Sequence, residues 1–344
     1  MNSKISGVLQ IAAVYIGTIV GAGFATGREI VEFFSQYGFI GFLGMMIAGI
    51  LFVFLGTKVM LLAVSLKAKS YQEVNLHLFG QKWGYFINGL FFFMLFGVTA
   101  VMLSGAGAVF EEQLHLSKQL GVILTAILTI LVLYNGDQGL FAVNVVVVPI
   151  MILFCLQLFF QGISNPSFFQ DFFYIPSDVN HWKSIISPFL YSAFNIGLAQ
   201  AVLVPVAYEV NDRTVIKYGG ILGGICLTLI LVASHVALVT VPDAMAFDIP
   251  NAMLMKNLAQ PFYWIFIIVM YGEIFTSLVG NVFGLEKQVK RYVKMNSLLI
   301  FICILTLAYF ASIIQYRTLL SFLYPIFGYV CLLFLILLLK SKHK

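Results

Sequence analysis

Gly17-Thr18-Ile19-Val20-Gly21-Ala22-Gly23-Phe24-Ala25-Thr26-Gly27 lies inside the first long apolar segment of the chain. Glycine is a poor helix former, and four of them packed this closely weaken a span that a membrane helix would keep continuous. In hydrocarbon an unpaired backbone N–H or C=O costs several kcal/mol, so an interrupted helix persists only beside protein or a water-filled cavity. Bare main-chain groups in such a place bind a small polar solute or a cation. The interruption therefore points to transport.

The surrounding composition agrees. The chain has 344 residues, 61% of them hydrophobic and only 10% charged, which leaves too little polar surface to cover a soluble domain. Runs of about 20 apolar residues, the length that crosses a bilayer, recur from end to end. We expect about ten spans, near 5–36 (broken), 39–66, 84–111, 119–134, 139–161, 184–209 (broken), 216–241, 261–285, 296–314 and 318–339. Turn or charge signals separate them, among them Lys67-Ala68-Lys69, the tight turn Asn135-Gly136-Asp137, Asn165-Pro166, Asn211-Asp212-Arg213 and Lys290-Arg291. Trp83, Trp182 and Trp264 stand near span ends, where amphipathic rings favour the headgroup region. No linker is long enough to divide the chain, so 1–344 is expected to be one membrane domain.

The formal net charge of +5 is not a nucleic-acid signature, because the basic residues sit in short loops. Lys4, Lys67, Lys69, Lys82, Arg213, Lys217, Lys287, Lys290, Arg291, Lys294, Lys340, Lys342 and Lys344 fall on one side of the deduced topology. Lys118, Lys183, Lys256 and Arg317 fall on the other. The rule that cytoplasmic loops carry the excess of lysine and arginine places both termini in the cytoplasm of a multi-pass protein in the cell membrane. The N-terminal apolar run lacks a small-residue cleavage site and reads as a retained helix. Cys155, Cys226, Cys303 and Cys331 all lie in apolar runs and suggest no disulfide framework.

Span six shows a second irregularity. Phe194-Asn195-Ile196-Gly197-Leu198-Ala199-Gln200, followed by Pro205, places a glycine, two amides and a proline in one hydrophobic stretch. Spans one and six are corresponding members of two five-helix halves, 1–161 and 184–340. Five is odd, so the second half enters the membrane inverted. Paired interruptions of this kind point to the midplane site of a secondary transporter. The competing reading is that the glycines permit close helix packing.

On these residues the chain resembles a known family. Gly17-x-x-x-Gly21-x-Gly23 followed by an arginine is similar to the first helix of the amino acid–polyamine–organocation superfamily, with its LeuT-type 5+5 inverted-repeat fold. Gly21-Ala22-Gly23-Phe24-Ala25-Thr26-Gly27-Arg28-Glu29 resembles the corresponding helix of the bacterial YkvI-like membrane proteins, which are predicted amino-acid permeases. In span eight, Phe275-Thr276-Ser277 resembles the hydroxyl pair of sodium-coupled members. The resemblance implies a sodium ion held by the carbonyls of Gly17 and Val20 and the hydroxyls of Thr276 and Ser277. A hard cation takes several oxygen ligands, and unwound backbone supplies them without full charge. Phe24 stands where relatives carry an asparagine for a second sodium, so one ion site is implied. The resemblance also implies a substrate carboxylate on the backbone of Gly21, Ala22 and Gly23. Phe194 would be an aromatic lid, with Asn195 and Gly197 at an unwound turn. Arg28 resembles an outer-gate arginine, its partner to be found among Glu29, Glu112 or Asp248, or else Glu32 one turn on.

Glu273 is an acid well inside span eight, on one helix face with Ser277 and Asn281. It either helps bind the cation, or carries the proton of a proton-coupled carrier, or is neutralised by a structural partner such as Lys58 or Arg28. The stretch between Pro242 and Pro261, with an amphipathic Asn251–Ala259 segment, resembles the outer loop helices that cap such carriers. Glu112-x-x-His115 has a di-iron spacing but stands alone, and His235 reads as a helix–helix hydrogen bond. No His-Glu-x-x-His or Gly-x-Ser-x-Gly motif supports an intramembrane enzyme. The expected function is alternating-access transport of a small neutral or zwitterionic solute, an amino acid or related compound, coupled to sodium or protons. A germinant-type nutrient receptor on the same fold is the alternative. Beyond the solute and the lipid, no cofactor, nucleic acid or obligate protein partner is implied.

Overall fold

The computed structural model describes residues 2–134, 138–258, 260–290 and 293–341. The turn expected at Asn135-Gly136-Asp137 lies outside the described residues, as do Arg291, Lys342 and Lys344.

The first apolar segment folds as three pieces, α1 (Asn2–Ile19), α2 (Ala22–Ala25) and α3 (Arg28–Phe33). After a 3-10 turn at Ser35–Tyr37 come α4 (Phe39–Leu51), a π turn at Phe52–Gly56 and α5 (Thr57–Leu66), which together form one apolar rod. Next are α6 (Tyr71–Glu112), kinked at Gly80, then α7 (Lys118–Tyr134), α8 (Gln138–Ile163), the short α9 (Phe168–Phe172), α10 (His181–Val210) and α11 (Arg213–Val239). A 3-10 turn at Pro242–Ala246, α12 (Pro250–Leu258), α13 (Tyr263–Val289), α14 (Ser297–Ser312) and α15 (Tyr316–Lys340) complete the chain. There is no strand among the described residues.

Six of these helical segments are long and apolar enough to cross a membrane, and four further helices are apolar but shorter. Large apolar side chains such as Ile50, Phe93, Ile268 and Phe322 point away from the bundle. Exposing that much apolar surface to water costs roughly 25 cal/mol per Å²; a lipid environment removes the cost. The bundle has two distinct ends. One collects the start of α1, the end of α15 and the 67–70 and 211–212 turns, joined by the Lys4–Asp212 ion pair at 3.3 Å and by Lys58 Nζ donating to the Leu339 carbonyl at 2.8 Å. The other, the loop end, collects α3, α9, α12 and the 113–117 and 313–315 connections.

The break expected in span six is not there. Helix α10 runs unbroken from His181 to Val210, through Pro188 and Pro205. The residues that looked like breakers have local employment instead. Asn195 Nδ2 donates back to the Tyr191 carbonyl at 3.0 Å, within the helix. Gly197 has no room for a side chain, because a Cβ there would come within 2.5 Å of Cys331 Sγ on α15. Small residues at such contacts let neighbouring helices approach closely, and a proline inside a membrane helix is tolerated where neighbours satisfy the freed backbone. At Gly197 the close-packing reading of the glycine fits the structure.

The π turn has a visible cause. Tyr15 of α1 is fully buried, and its hydroxyl donates to the Phe52 carbonyl at 2.8 Å. Its ring fills the space left by the missing side chains of Gly56 and Gly223. A π turn leaves carbonyls poorly paired along the helix, and the phenol supplies one of them with a donor.

Candidate functional site

The interruption of the first span consists of two breaks around a single helical turn. Val20 N still donates to Ile16 O at 2.7 Å, but Gly21 N turns to the Ile19 carbonyl at 2.8 Å. The Gly17 carbonyl thereby loses its regular helical donor. Ala25 N donates to Gly21 O at 2.9 Å and closes the turn of α2. Gly27 then takes a left-handed conformation, φ 82°, which an L side chain would oppose.

Helix α13 forms one wall beside this interruption. Ser277 is close enough to Gly21 that a Cβ on the glycine would stand 3.4 Å from the serine Oγ. Thr276 Oγ1 donates to the Glu273 carbonyl at 3.2 Å, so its hydroxyl already has a partner on its own helix. Glu273 is buried, and its Oε1 makes no hydrogen bond among the described residues. Cys155 of α8 lies within electrostatic reach of that carboxyl group, and Ser234 Oγ of α11 donates to the thiol at 3.7 Å. Neither of the proposed structural partners reaches Glu273. Lys58 caps the end of α15 at Leu339, and Arg28 turns to the loop end.

Helices α10 and α15 form the opposite wall. Phe194 packs on Tyr324 with ring centroids 4.3 Å apart and on Phe327 at 6.2 Å. It is buried, and is held between helices. Tyr191, one turn earlier, is surrounded by Phe33, Phe34 and Phe52 at 5.0–5.8 Å. Gln200 is completely buried, and neither amide atom has a hydrogen-bond partner among the described residues.

A residue that sequence reading considered only as a gate partner stands between these walls. Glu29 is 4% exposed, and its side chain folds back over Gly23. A Cβ on Gly23 would overlap the Glu29 carboxylate, with Cγ and Cδ both at 2.6 Å. The Glu29 carboxylate faces Tyr191, and the phenols of Tyr316 and Tyr324 lie within electrostatic reach of it. Tyr316 OH is 2.9 Å from Thr26 Oγ1, at the second break.

The loop end is closed over the interruption by residues 242–258. Arg28 Nη1 donates to the Met245 carbonyl at 2.8 Å, and its Nη2 pairs with Glu32 at 3.7 Å. Of the partners expected for Arg28, the local one is observed; Glu29 is turned inward, and Glu112 instead accepts from the backbone N–H groups of Asp248 and Ile249 at 3.0 and 3.2 Å. Arg317 donates to the Ala246 carbonyl at 3.0 Å. Burial raises the Asp248 carboxyl above its usual value, against the pull of Arg28, Lys118 and Arg317. Asn251 is the central contact. Its N–H donates to Thr26 O at 2.9 Å, its Nδ2 donates to Ala25 O at 3.0 Å, and its side chain fills the space beside Gly27. Outside this seal a cleft of about 340 Å³ is lined by Glu111, Glu112, Lys118, Asp248 and Arg317.

Gly17, Val20, Gly21, Ala22 and Gly23 thus belong to the interruption, and Ser277 faces it. Asn195 and Gly197 sit in a regular helix rather than an unwound turn. His235 Nδ1 is 2.9 Å from Ser35 Oγ, the helix–helix bond expected of it. The amphipathic segment forms α12, with Ala259 outside the described residues. Sequence reading gave Glu29 only as a gate partner and Asn251 only as the start of a capping segment, and it did not single out the three tyrosines. The available signal was an acid placed directly after a glycine-rich break, next to an arginine that drew attention away from it.

No family model matches the sequence. The chain is 45% identical over 335 residues to the "Uncharacterized membrane protein YkvI" of Bacillus subtilis (strain 168), covering 97% of this chain and 95% of that protein. It is 24% identical over 328 residues to the protein YyaD of the same organism, covering 94% of each. Among solved structures it resembles a manganese transporter of Eremococcus coleocola, with a TM-score of 0.60 at 12% identity over 96% of this chain and 76% of that one. It also resembles Mhp1 in an inward-facing conformation, with a TM-score of 0.57 at 9% identity over 96% and 75%. These likenesses show the LeuT-type transporter fold and carry nothing about cargo. No group of three or more His, Cys, Asp or Glu able to hold a metal ion occurs among the described residues.

Proposed function

The chain belongs to the YkvI family of membrane proteins, and we propose that it is a secondary active transporter of a small solute bearing both charge signs, an amino acid or a related compound. The observation that carries this reading is the doubly interrupted first span, which sets unpaired main-chain groups beside two buried acids, Glu29 and Glu273, at the centre of a membrane bundle. An ionisable residue inside a membrane helix costs about 2.5–3.5 kcal/mol on insertion scales and marks a solute or ion route. We count the ten apolar segments as ten crossings in two inverted halves, 1–161 and 184–340, with the lysine-rich terminal end in the cytoplasm. Alternating access follows from that symmetry, with the 242–258 segment sealing the far side.

Sodium is the coupling ion of this reading. The Gly17 and Val20 carbonyls and the Ser277 hydroxyl would hold it. Thr276 would join once its hydroxyl left the Glu273 carbonyl. Glu273 supplies either a further ligand or, in a proton-driven cycle, the carried proton.

The test is uptake of labelled amino acids into proteoliposomes with sodium and pH gradients imposed separately. Uptake driven by sodium, and weakened in its sodium dependence by Thr276→Ala with Ser277→Ala, is the expected result. Uptake driven by a pH gradient alone transfers the coupling role to Glu273. Binding of a solute without uptake under either gradient refutes transport and supports a receptor.

A further inference from the structure

Glu29 has an environment that a structural carboxylate would not tolerate. It is 4% exposed within a membrane bundle, and neither its Oε2 nor the Tyr191 hydroxyl it faces has a hydrogen-bond partner among the described residues. No basic residue compensates it: the ion pairs among the described residues are Lys4–Asp212, Arg28–Glu32 and Lys290–Glu286. Arg28, its immediate neighbour in sequence, directs its guanidinium outward to Met245, Phe247 and Glu32. Two features then hold the carboxylate over the break rather than in the loop-end cleft. Gly23 has no side chain where the carboxylate lies, and α3 begins only after the second break, which turns Glu29 back toward α2. The phenol it faces is Tyr191 of α10, and those of Tyr316 and Tyr324 on α15 lie within electrostatic reach.

We infer that Glu29 is the counter-charge for an ammonium group on the bound solute, with Tyr191 and Tyr324 completing a cage around that ammonium. This rests on the break being the solute site, and it revises how the solute lies there. A solute carboxylate on the backbone at Gly23 would meet the carboxylate of Glu29, and two anions in so dry a place repel strongly. An ammonium at Gly23 satisfies both the lone oxygen of Glu29 and the electron-rich tyrosine rings. The solute carboxylate then lies toward Gly21 and Ser277, where a coupling cation would also meet it. The ligand class is a primary amine, foremost an α-amino acid; plain carboxylic acids are excluded.

The test uses the purified full-length protein and three sets of probes: the common L-amino acids, their α-hydroxy acid counterparts, and the amines formed by removing the carboxyl group. Ligand-induced stabilisation finds the binders, and labelled binders give dissociation constants. The expected result is binding confined to ammonium-bearing probes. Glu29→Gln, which keeps the shape and loses the charge, should weaken that binding about 30-fold or more, since truncating one partner of a buried charge pair is costly. Glu29→Asp should retain part of it. Infrared difference spectra of the wild type should show a shift of a carboxylate band on ligand addition that is missing in Glu29→Gln. Equal binding of an α-hydroxy acid and its amino acid overturns the inference, whichever variants fold. So does unchanged affinity in Glu29→Gln, or failure of every ammonium-bearing probe to bind the wild type. Ammonium-selective binding without uptake in proteoliposomes leaves the inference standing and removes the transport reading instead.

Discussion

Replacing Asn251 by alanine tests whether residues 242–258 are the closed gate of the solute site. The side chain is 1% exposed and donates to the Ala25 carbonyl at 3.0 Å, with the Phe24 carbonyl at 3.5 Å. Alanine removes that donor and leaves a buried acceptor unpaired at the second break, at a cost of about 1–3 kcal/mol. The cost falls only on the closed form, because in an open form water reaches the same carbonyls. A penalty of that size shifts the closed-to-open ratio by roughly 5–150-fold. The assay is the labelling rate of Ser277→Cys by a membrane-impermeant thiol reagent, in a background where Cys155, Cys226, Cys303 and Cys331 are replaced. Slow labelling in that background and labelling at least fivefold faster once Asn251→Ala is added are expected. An unchanged rate in protein with an unchanged melting temperature refutes the claim that this segment controls access.

Three further outcomes follow from the same geometry. Gly21→Leu should abolish uptake while leaving folded protein in the membrane, because even a Cβ at that position stands 3.4 Å from Ser277 Oγ and a longer side chain fills the gap; solute uptake with surface expression as control measures it. Tyr15→Phe removes the donor to the Phe52 carbonyl inside the π turn and should lower stability by about 1–3 kcal/mol, read from thermal unfolding in detergent. Asp212 caps α11 by accepting from Thr214 and Val215, and those bonds together with Lys4 lower its carboxyl below the usual range. Its stabilising effect is therefore present above the ordinary aspartate value near about 4. It is lost as pH falls through the lowered one, so Asp212→Asn should flatten the acid side of a melting-temperature profile.

The two candidate breaks show why part of this architecture was legible and part was not. Four glycines between Gly17 and Gly27 weaken one helix so strongly that local propensity decided the outcome, and the structure interrupts the span there. In α10 the same residue types carried a different meaning. Gly197 is small because Cys331 of a distant helix presses on it, and Asn195 bonds within its own helix. Local sequence cannot distinguish a glycine that breaks a helix from one that admits a neighbour. Glu29 was hidden for a related reason. Its distance in sequence from Gly23 is short, but the second break reverses its side chain onto the glycine, and that reversal depends on the φ of Gly27 and on Asn251 filling the space beside it. The place of Ser277 on the helix face beside the break was legible from the spacing on α13; the approach of Tyr191 to Tyr316 and Tyr324 required the packing of α10 against α15.

An interruption in one span only has a chemical consequence. Two unwound segments would let main-chain dipoles form most of the site, and side chains would matter little beyond shape. Here the broken backbone is that of the first span, whereas α10 stays helical throughout, with only the carbonyls four residues before Pro188 and Pro205 losing their regular donors. The remaining interactions would be made by side chains, and the polar ones near the interruption include Glu29, Tyr191, Gln200, Glu273, Thr276 and Ser277. Each can be deleted without unwinding a helix. On the proposed site, selectivity would reside in replaceable side chains, and substitutions at Tyr191 or Tyr324 should change which amines bind before they change whether the protein folds.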